Sequence, residues 1–370
     1  NVQILSSNLV QNGDFSEEGV QEVSNGSFSQ EGSELITAAS WSNQTSGTAT
    51  ISNGVITFVN GTGYLTQSGI SANKFYKFVV TLSNVTQGSF RITTEGSVNT
   101  ETLSTNGVHE FYLQSTSAGG VFIIPLSNFT GSIDNVSVRE VGQDWTLGTG
   151  WSIGEDKAVY SDGAKFSQLK QTLTNNNTSY YKVTFDAVIN SGQFRVKFGS
   201  NNYDIITTTD TYTIYGIFSA SNTNITFEDY DDISSDFSVT NISVKEVGMD
   251  WGLNDWSVGD SLVSSGISSF LVQSNVYTST TNIYKTTFRA RSVSGTSVTL
   301  RLYDGADNYE TFTITSSEFQ NFELTRQRQG TNSILYLYNN SNAEIEITNI
   351  SIIEITDDTN LPRINYEGFS

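Results

Sequence analysis

Five tryptophans, 17 tyrosines and 22 phenylalanines are set among asparagines and carboxylates in this 370-residue chain. Flat rings stack on the apolar faces of sugar-like ligands, and amides and carboxylates bond their hydroxyls. Tyr203 stands next to Asn201, Asn202 and Asp204, and Tyr303 next to Asp304 and Asn308. Both are read as loop residues after an alternating strand, and they are the first candidates for a carbohydrate contact. Trp145 and Trp251 occur only at two matched joints. There they either pack neighbouring units together or offer a sugar platform. Trp41, Trp151 and Trp256, each followed by Ser, recur once per repeat and read as core.

Catalytic chemistry finds little support. There is no Cys and one His, His109, so thiol nucleophiles, Cys-ligated metals and a Ser-His-Asp triad are excluded or nearly so. No Gly-x-Ser-x-Gly elbow, phosphate-binding loop or His-Glu-x-x-His occurs. The run Glu228-Asp-Tyr-Asp-Asp232 has oxygen ligands for a hard cation but not the spacing of an EF-hand loop, and reads as a solvated turn. Asp304-Gly-Ala-Asp307 reads the same way. The chain is therefore expected not to be an enzyme. Eighteen basic against 38 acidic residues give a net charge of −20, which leaves no electrostatic footprint for nucleic acid. The longest apolar run, Val121 to Leu126, is far below the ~18 residues of a membrane span, so no membrane insertion is expected.

The elements that must position these residues repeat. Glu140-Val-Gly-Gln-Asp-Trp145 returns as Glu246-Val-Gly-Met-Asp-Trp251, 106 residues on. Before them lie the matched runs starting at Ile133 and Val239, and Ile347-Thr-Asn-Ile-Ser-Ile-Ile-Glu354 is a third copy. Mid-repeat runs beginning Tyr76-Lys77, Tyr181-Lys182 and Tyr284-Lys285 align as well. Their apolar residues alternate, as in Val183, Phe185 and Ala187, and Ser/Gly turns separate them. Period two over five to eight residues predicts half-buried antiparallel strands.

Eight or so such strands per copy predict an all-β chain of three tandem β-sandwich (jelly-roll) modules in an elongated array. The expected division is 34–142, 143–248 and 249–356. Residues 1–33 read as an N-terminal strand or linker segment with a 13-residue duplication, Asn8 to Gly19 echoed by Gln21 to Gly32. That step has the look of a slipped copy of the module's first strand. Residues 357–370 read as a linker to a further segment. The short joints predict a semi-rigid rod.

Asn8-Leu-Val-Gln-Asn-Gly-Asp-Phe15, Gly148-Thr-Gly-Trp-Ser-Ile-Gly154, Tyr181-Lys-Val-Thr-Phe185 and Gly131 to Val141 resemble one known module type. It is the carbohydrate-binding-module-like jelly roll (family four and nine type) repeated in bacteriophage virion proteins. The resemblance spans nearly the whole chain. It implies a tail fibre or other appendage at the virion surface. Its partners would be host-surface glycan, other virion proteins and further copies of the same chain. It also implies a structural calcium between an acidic residue of the first strand and an Asp of the last, here Glu17 and Asp134. Thr240 and Thr348 stand at the Asp134 position in the other repeats, so one calcium at most is implied. Extracellular carbohydrate-binding modules of a secreted polysaccharide-degrading enzyme, or the stalk of a bacterial surface adhesin, remain as alternatives.

Overall fold

The computed structural model describes residues 3–37, 40–43, 49–96, 100–175, 177–230, 234–304, 309–328 and 330–357. Asp231, Asp232, Asp307, Asn308 and the expected linker from 358 onward lie outside them. The described residues form strands and turns with no helix, arranged in five antiparallel sheets.

Buried side chains gather in three clusters, one for each stretch of repeated sequence. Around each, eight strands follow one path. In chain order, the first, eighth, third and sixth lie side by side in one layer. The second, seventh, fourth and fifth lie side by side in the other, which is jelly-roll topology. In the second unit the first layer holds Lys157–Ser161, Asp236–Val247, Tyr180–Ser191 and Asp210–Ile217. The facing layer holds Gln168–Thr172, Asn224–Asp229, Phe194–Phe198 and Asn201–Ile206. The third unit repeats the order. In the first unit two long strands, Lys74–Thr94 and Gly119–Val141, run through both layers and merge them into one sheet.

A matched asparagine bends the last strand of every unit. Asn135, Asn241 and Asn349 have φ of 50°, 53° and 54°. In the first unit a bulge lies at this point, between Asp134 and Ser137. Asn tolerates the left-handed region better than other non-glycine residues, so the matched Asn-x-Ser motifs mark backbone bends.

The N-terminal residues are not a linker. The strand Gln3–Asn8 pairs with Ile345–Asp357, Glu18–Gln21 with Asp236–Val247, and Glu31–Glu34 with Gly119–Val141. One strap thus lends a strand to the third, second and first units in turn. The reason lies in the last strand of each unit. In the second unit its outer edge is covered by Lys157–Ser161 only over residues 236–239. The strap occupies the remainder, where an open edge would otherwise leave backbone groups unpaired. The 13-residue step is the repeat of this strap, one step per unit.

Register also corrects the tryptophan alignment. Trp151 opposes Tyr160 and Trp256 opposes Ser264, but the matching place in the first unit is held by Ala49, opposite Phe58. Trp41 instead continues the strap series Phe15, Phe28, Trp41. All three large side chains are buried.

Candidate functional site

Each strap step is held by the same devices. Backbone N–H groups of Leu9, Glu22 and Leu35 donate to Ile352, Val244 and Val138 at 2.8, 2.9 and 3.0 Å. A buried glutamine then clamps the backbone two residues further on. Gln273 accepts from Gln11 N at 2.9 Å and donates to Gln11 O at 2.8 Å. Gln171 does this to Ser24, and Gln67 to Thr37. Asn12 and Asn25 turn the chain at φ 44° and 48°. Gly13 and Gly26 then cross the last strands so closely that a Cβ would sit 1.9 Å from Ile350 O and 2.0 Å from Ile242 O.

Here the joint tryptophans find their use. Trp251 packs on Phe15 with ring centroids 5.6 Å apart, and its Nε1 donates to Asn12 O at 3.1 Å. Trp145 does the same with Phe28 at 5.3 Å, donating to Asn25 O. Both are buried, at 7% and 8% exposure for Trp145 and Trp251. Neither offers a face to a sugar, and the platform expectation for the two is corrected: they lock the strap. A cavity of about 620 Å³ at the joint of the second and third units is lined by Tyr180, Trp251, Asp255 and Glu344 among others. The Tyr180 hydroxyl is already engaged, donating to Trp256 O at 3.0 Å.

Tyr203 is also locked. Its hydroxyl donates to Ile217 O at 3.0 Å and accepts from Ile217 N at 2.7 Å. Its ring packs on Phe198 at 4.3 Å and lies against Gly216, where a Cβ would sit 2.3 Å from the ring. It is a packing residue, not an open contact, and it lies on the fifth strand of its unit whereas Tyr303 ends the fourth.

Tyr303 stands differently. The outward side of the third unit's second layer carries Phe270, Tyr336, Tyr338, Tyr303 and Tyr309 as neighbours across four strands. Phe270 stacks on Tyr336 at 4.9 Å, and Tyr338 lies nearly parallel to Tyr336 at 6.4 Å. Tyr303 meets Tyr336 edge-on at 5.4 Å and Tyr309 at 5.1 Å. Burial in this cluster, then the neighbouring Tyr303 and Tyr338, raises the pKa of the Tyr336 hydroxyl. Arg301 lies on the same face with its guanidinium 4.4 Å from the Tyr309 ring, and its buried Nε has no hydrogen-bond partner among the described residues. An aromatic surface with an unsatisfied donor beside it is suited to a polyhydroxylated ligand. Sequence reading names Tyr303 and does not name Phe270, Tyr336 or Tyr338, which the structure places beside it. In sequence, Tyr336 and Tyr338 alternate with Leu335, Leu337 and Asn339 on one strand, and Phe270 precedes Leu271 on another.

The same face in the other units differs. Arg91, Arg195 and Arg301 are matched, opposite Ile124, Glu228 and Tyr338. In the first unit Tyr64 and Phe122 meet at 5.8 Å, and Arg91 Nε is again buried without a partner among the described residues. In the second unit Glu228 answers the arginine. It accepts from Arg195 Nε at 2.6 Å, from Lys197 at 3.2 Å and from Gln168. Burial acts to raise the Glu228 carboxyl, but Gln168, Arg195 and Lys197 outweigh it and hold its pKa below the ordinary value. On this face the arginine is paired by a carboxylate.

The pair expected to hold calcium is not brought together. Glu17 follows the strap step seated on the third unit, and Asp134 opposes Thr81 in the first unit. Asp134 accepts instead from Asn135 N at 2.7 Å. No group of three or more His, Cys, Asp or Glu side chains placed to hold a metal occurs among the described residues. Among them, too, no helix is long and apolar enough to cross a membrane.

Compared with protein-family models and with curated sequences, the chain matches none. Among solved structures it is similar to the N-terminal CBM22-1-CBM22-2 tandem domain of Paenibacillus barcinonensis Xyn10C. That match has 10% identity, covers 58% of this chain and 94% of the other, and has a TM-score of 0.22. It is also similar to a chain of Sulfolobus Turreted Icosahedral Virus, at 12% identity, 86% and 91% coverage and TM-score 0.21. A structure described as the triple jelly roll fold and turret assembly in an archaeal virus matches at 12% identity, 85% and 89% coverage and TM-score 0.18. Likeness at this level says nothing of what the chain binds.

Proposed function

We propose that this chain is a non-enzymatic structural protein of a bacteriophage virion, in a fibre or other surface appendage, and that its third unit binds host-surface glycan. The observation that carries the glycan part is the aromatic face of Phe270, Tyr303, Tyr336 and Tyr338, with the Arg301 Nε, unpaired among the described residues, beside it. The virion part rests on the sequence resemblance. The second unit, whose Glu228 already occupies its arginine, acts as a spacer. One weak site per chain gains from display in many copies, because linked sites raise the effective concentration. Copies of the chain and other virion proteins are the partners this reading requires.

The test is a glycan array probed with the whole chain, with calcium and with chelator. Binding is expected in both, and Tyr336→Ala or Tyr338→Ala is expected to abolish it with an unchanged melting profile. Glu228→Ala is expected to leave it intact. Absence of binding by the folded chain, or binding that survives both tyrosine replacements, rejects the site.

A further inference from the structure

We propose, on the reading that the third unit's aromatic face binds glycan, that this glycan carries carboxylates and that Arg301 pairs with one of them. The second unit shows the pairing built into the chain itself. Glu228 accepts from Arg195 Nε at 2.6 Å, from Lys197 at 3.2 Å and from Gln168. Register fixes what stands in those places in the third unit. Arg301 faces Tyr338 as Arg195 faces Glu228. Tyr303 takes the place of Lys197, and Phe270 that of Gln168. Three of the four polar residues are exchanged for rings, and the arginine stays without its carboxylate.

No other acidic side chain answers it among the described residues of this face. The strands Phe270–Gln273, Val298–Tyr303, Tyr309–Ile314 and Leu335–Asn339 hold one carboxylate, Glu310. Glu310 alternates with Tyr309 and Thr311, and it pairs with Arg326 at 3.7 Å. Arg301 Nε, the counterpart of the atom that donates to Glu228 in the second unit, is buried with no hydrogen-bond partner among the described residues. Burying a donor without an acceptor is costly, and an ionised one more so. The guanidinium lies 4.4 Å from the ring of Tyr309, which is 42% exposed, so the charge borders the open aromatic surface. Over most of its surface a chain of net charge −20 repels an anion, and this face is free of that repulsion at short range. A uronic acid offers both groups that the face can use. Its ring stacks on tyrosine, and its planar carboxylate meets the planar guanidinium at two points.

The test is an array of uronate oligosaccharides, each printed beside its carboxyl-reduced neutral form, and probed with the whole chain. Binding to the acidic member is expected to be stronger by about tenfold or more. Arg301→Gln is expected to bring the ratio of acidic to neutral binding close to one while neutral binding persists. Arg301→Lys keeps the charge without the planar fork and is expected to keep part of the preference. Tyr336→Ala is expected to lose both members. Equal binding of the two members by the unaltered chain, or a preference that survives Arg301→Gln, overturns the acidic ligand and leaves the glycan site standing. Binding of neither member by the folded chain rejects both. If Arg301→Gln loses the third unit's melting transition, the ratio on the unaltered chain and on Arg301→Lys decides.

Discussion

Glu18 shows how single side chains set the strap's response to acid. It accepts from Lys182 at 2.7 Å and from Lys245 at 2.9 Å. Those two hydrogen bonds, Lys182 first, outweigh burial and hold its carboxyl below the ordinary value of 4.5. A depressed carboxyl contributes stability above its unfolded pKa, and that stability is lost as pH falls through the folded value. Glu22 has the opposite sign. Burial, then repulsion from Glu246, raises its pKa, so acid relieves it. The pairing of Glu18–Gln21 is therefore expected to weaken below about pH 4.5, read by hydrogen-exchange mass spectrometry. Glu18→Gln is expected to flatten that dependence and Glu22→Gln to steepen it. A wild-type profile flat in pH would show that the lysine pair does not hold the strap.

At the scale of elements, the strap is tight where its glycines cross. Gly26→Ala places a methyl 2.0 Å from Ile242 O. Overpacking of this kind costs about 1–3 kcal/mol. The loss is expected in the second unit's unfolding transition, while the aromatic face of the third is untouched. An unchanged denaturant midpoint would show that the strap is dispensable to that unit. The elements also show what sequence discloses. Val183, Phe185 and Ala187 alternate, and so predict a half-buried strand that the structure contains. Alternation says that a strand exists but not which strand it meets. Glu18–Gln21 pairs with residues more than 200 positions away, and no local pattern carries that. The 13-residue step is legible in sequence, but its third member, Trp41, reads there as the counterpart of Trp151. Both are tryptophans followed by serine, and only register tells them apart. Tyr203 misled for a related reason. An aromatic among amides looks the same in sequence whether its hydroxyl meets a ligand or, as here, the backbone of Ile217.

At the scale of the molecule, two ties join the second unit to the third. One is the joint. Val247 belongs to the third unit's core, Tyr180 and Tyr215 pack against it, and the Tyr215 hydroxyl donates to Asp260 at 2.8 Å. Tyr112 holds the matched place between the first and second units, where it packs on the second core. The same position in the third unit is Thr325, opposite Lys285. The other tie is the strap, which passes from the third unit's groove to the second's through Ser16 and Glu17. Two independent ties predict a non-additive response. Tyr215→Ala alone and Gly13→Ala alone are each expected to leave the small-angle scattering profile close to that of the unaltered chain. Together they are expected to broaden the distribution of interatomic distances, because only then does the third unit swing. If Tyr215→Ala alone frees it, the strap bears no load between units, and its function is confined to completing each sandwich.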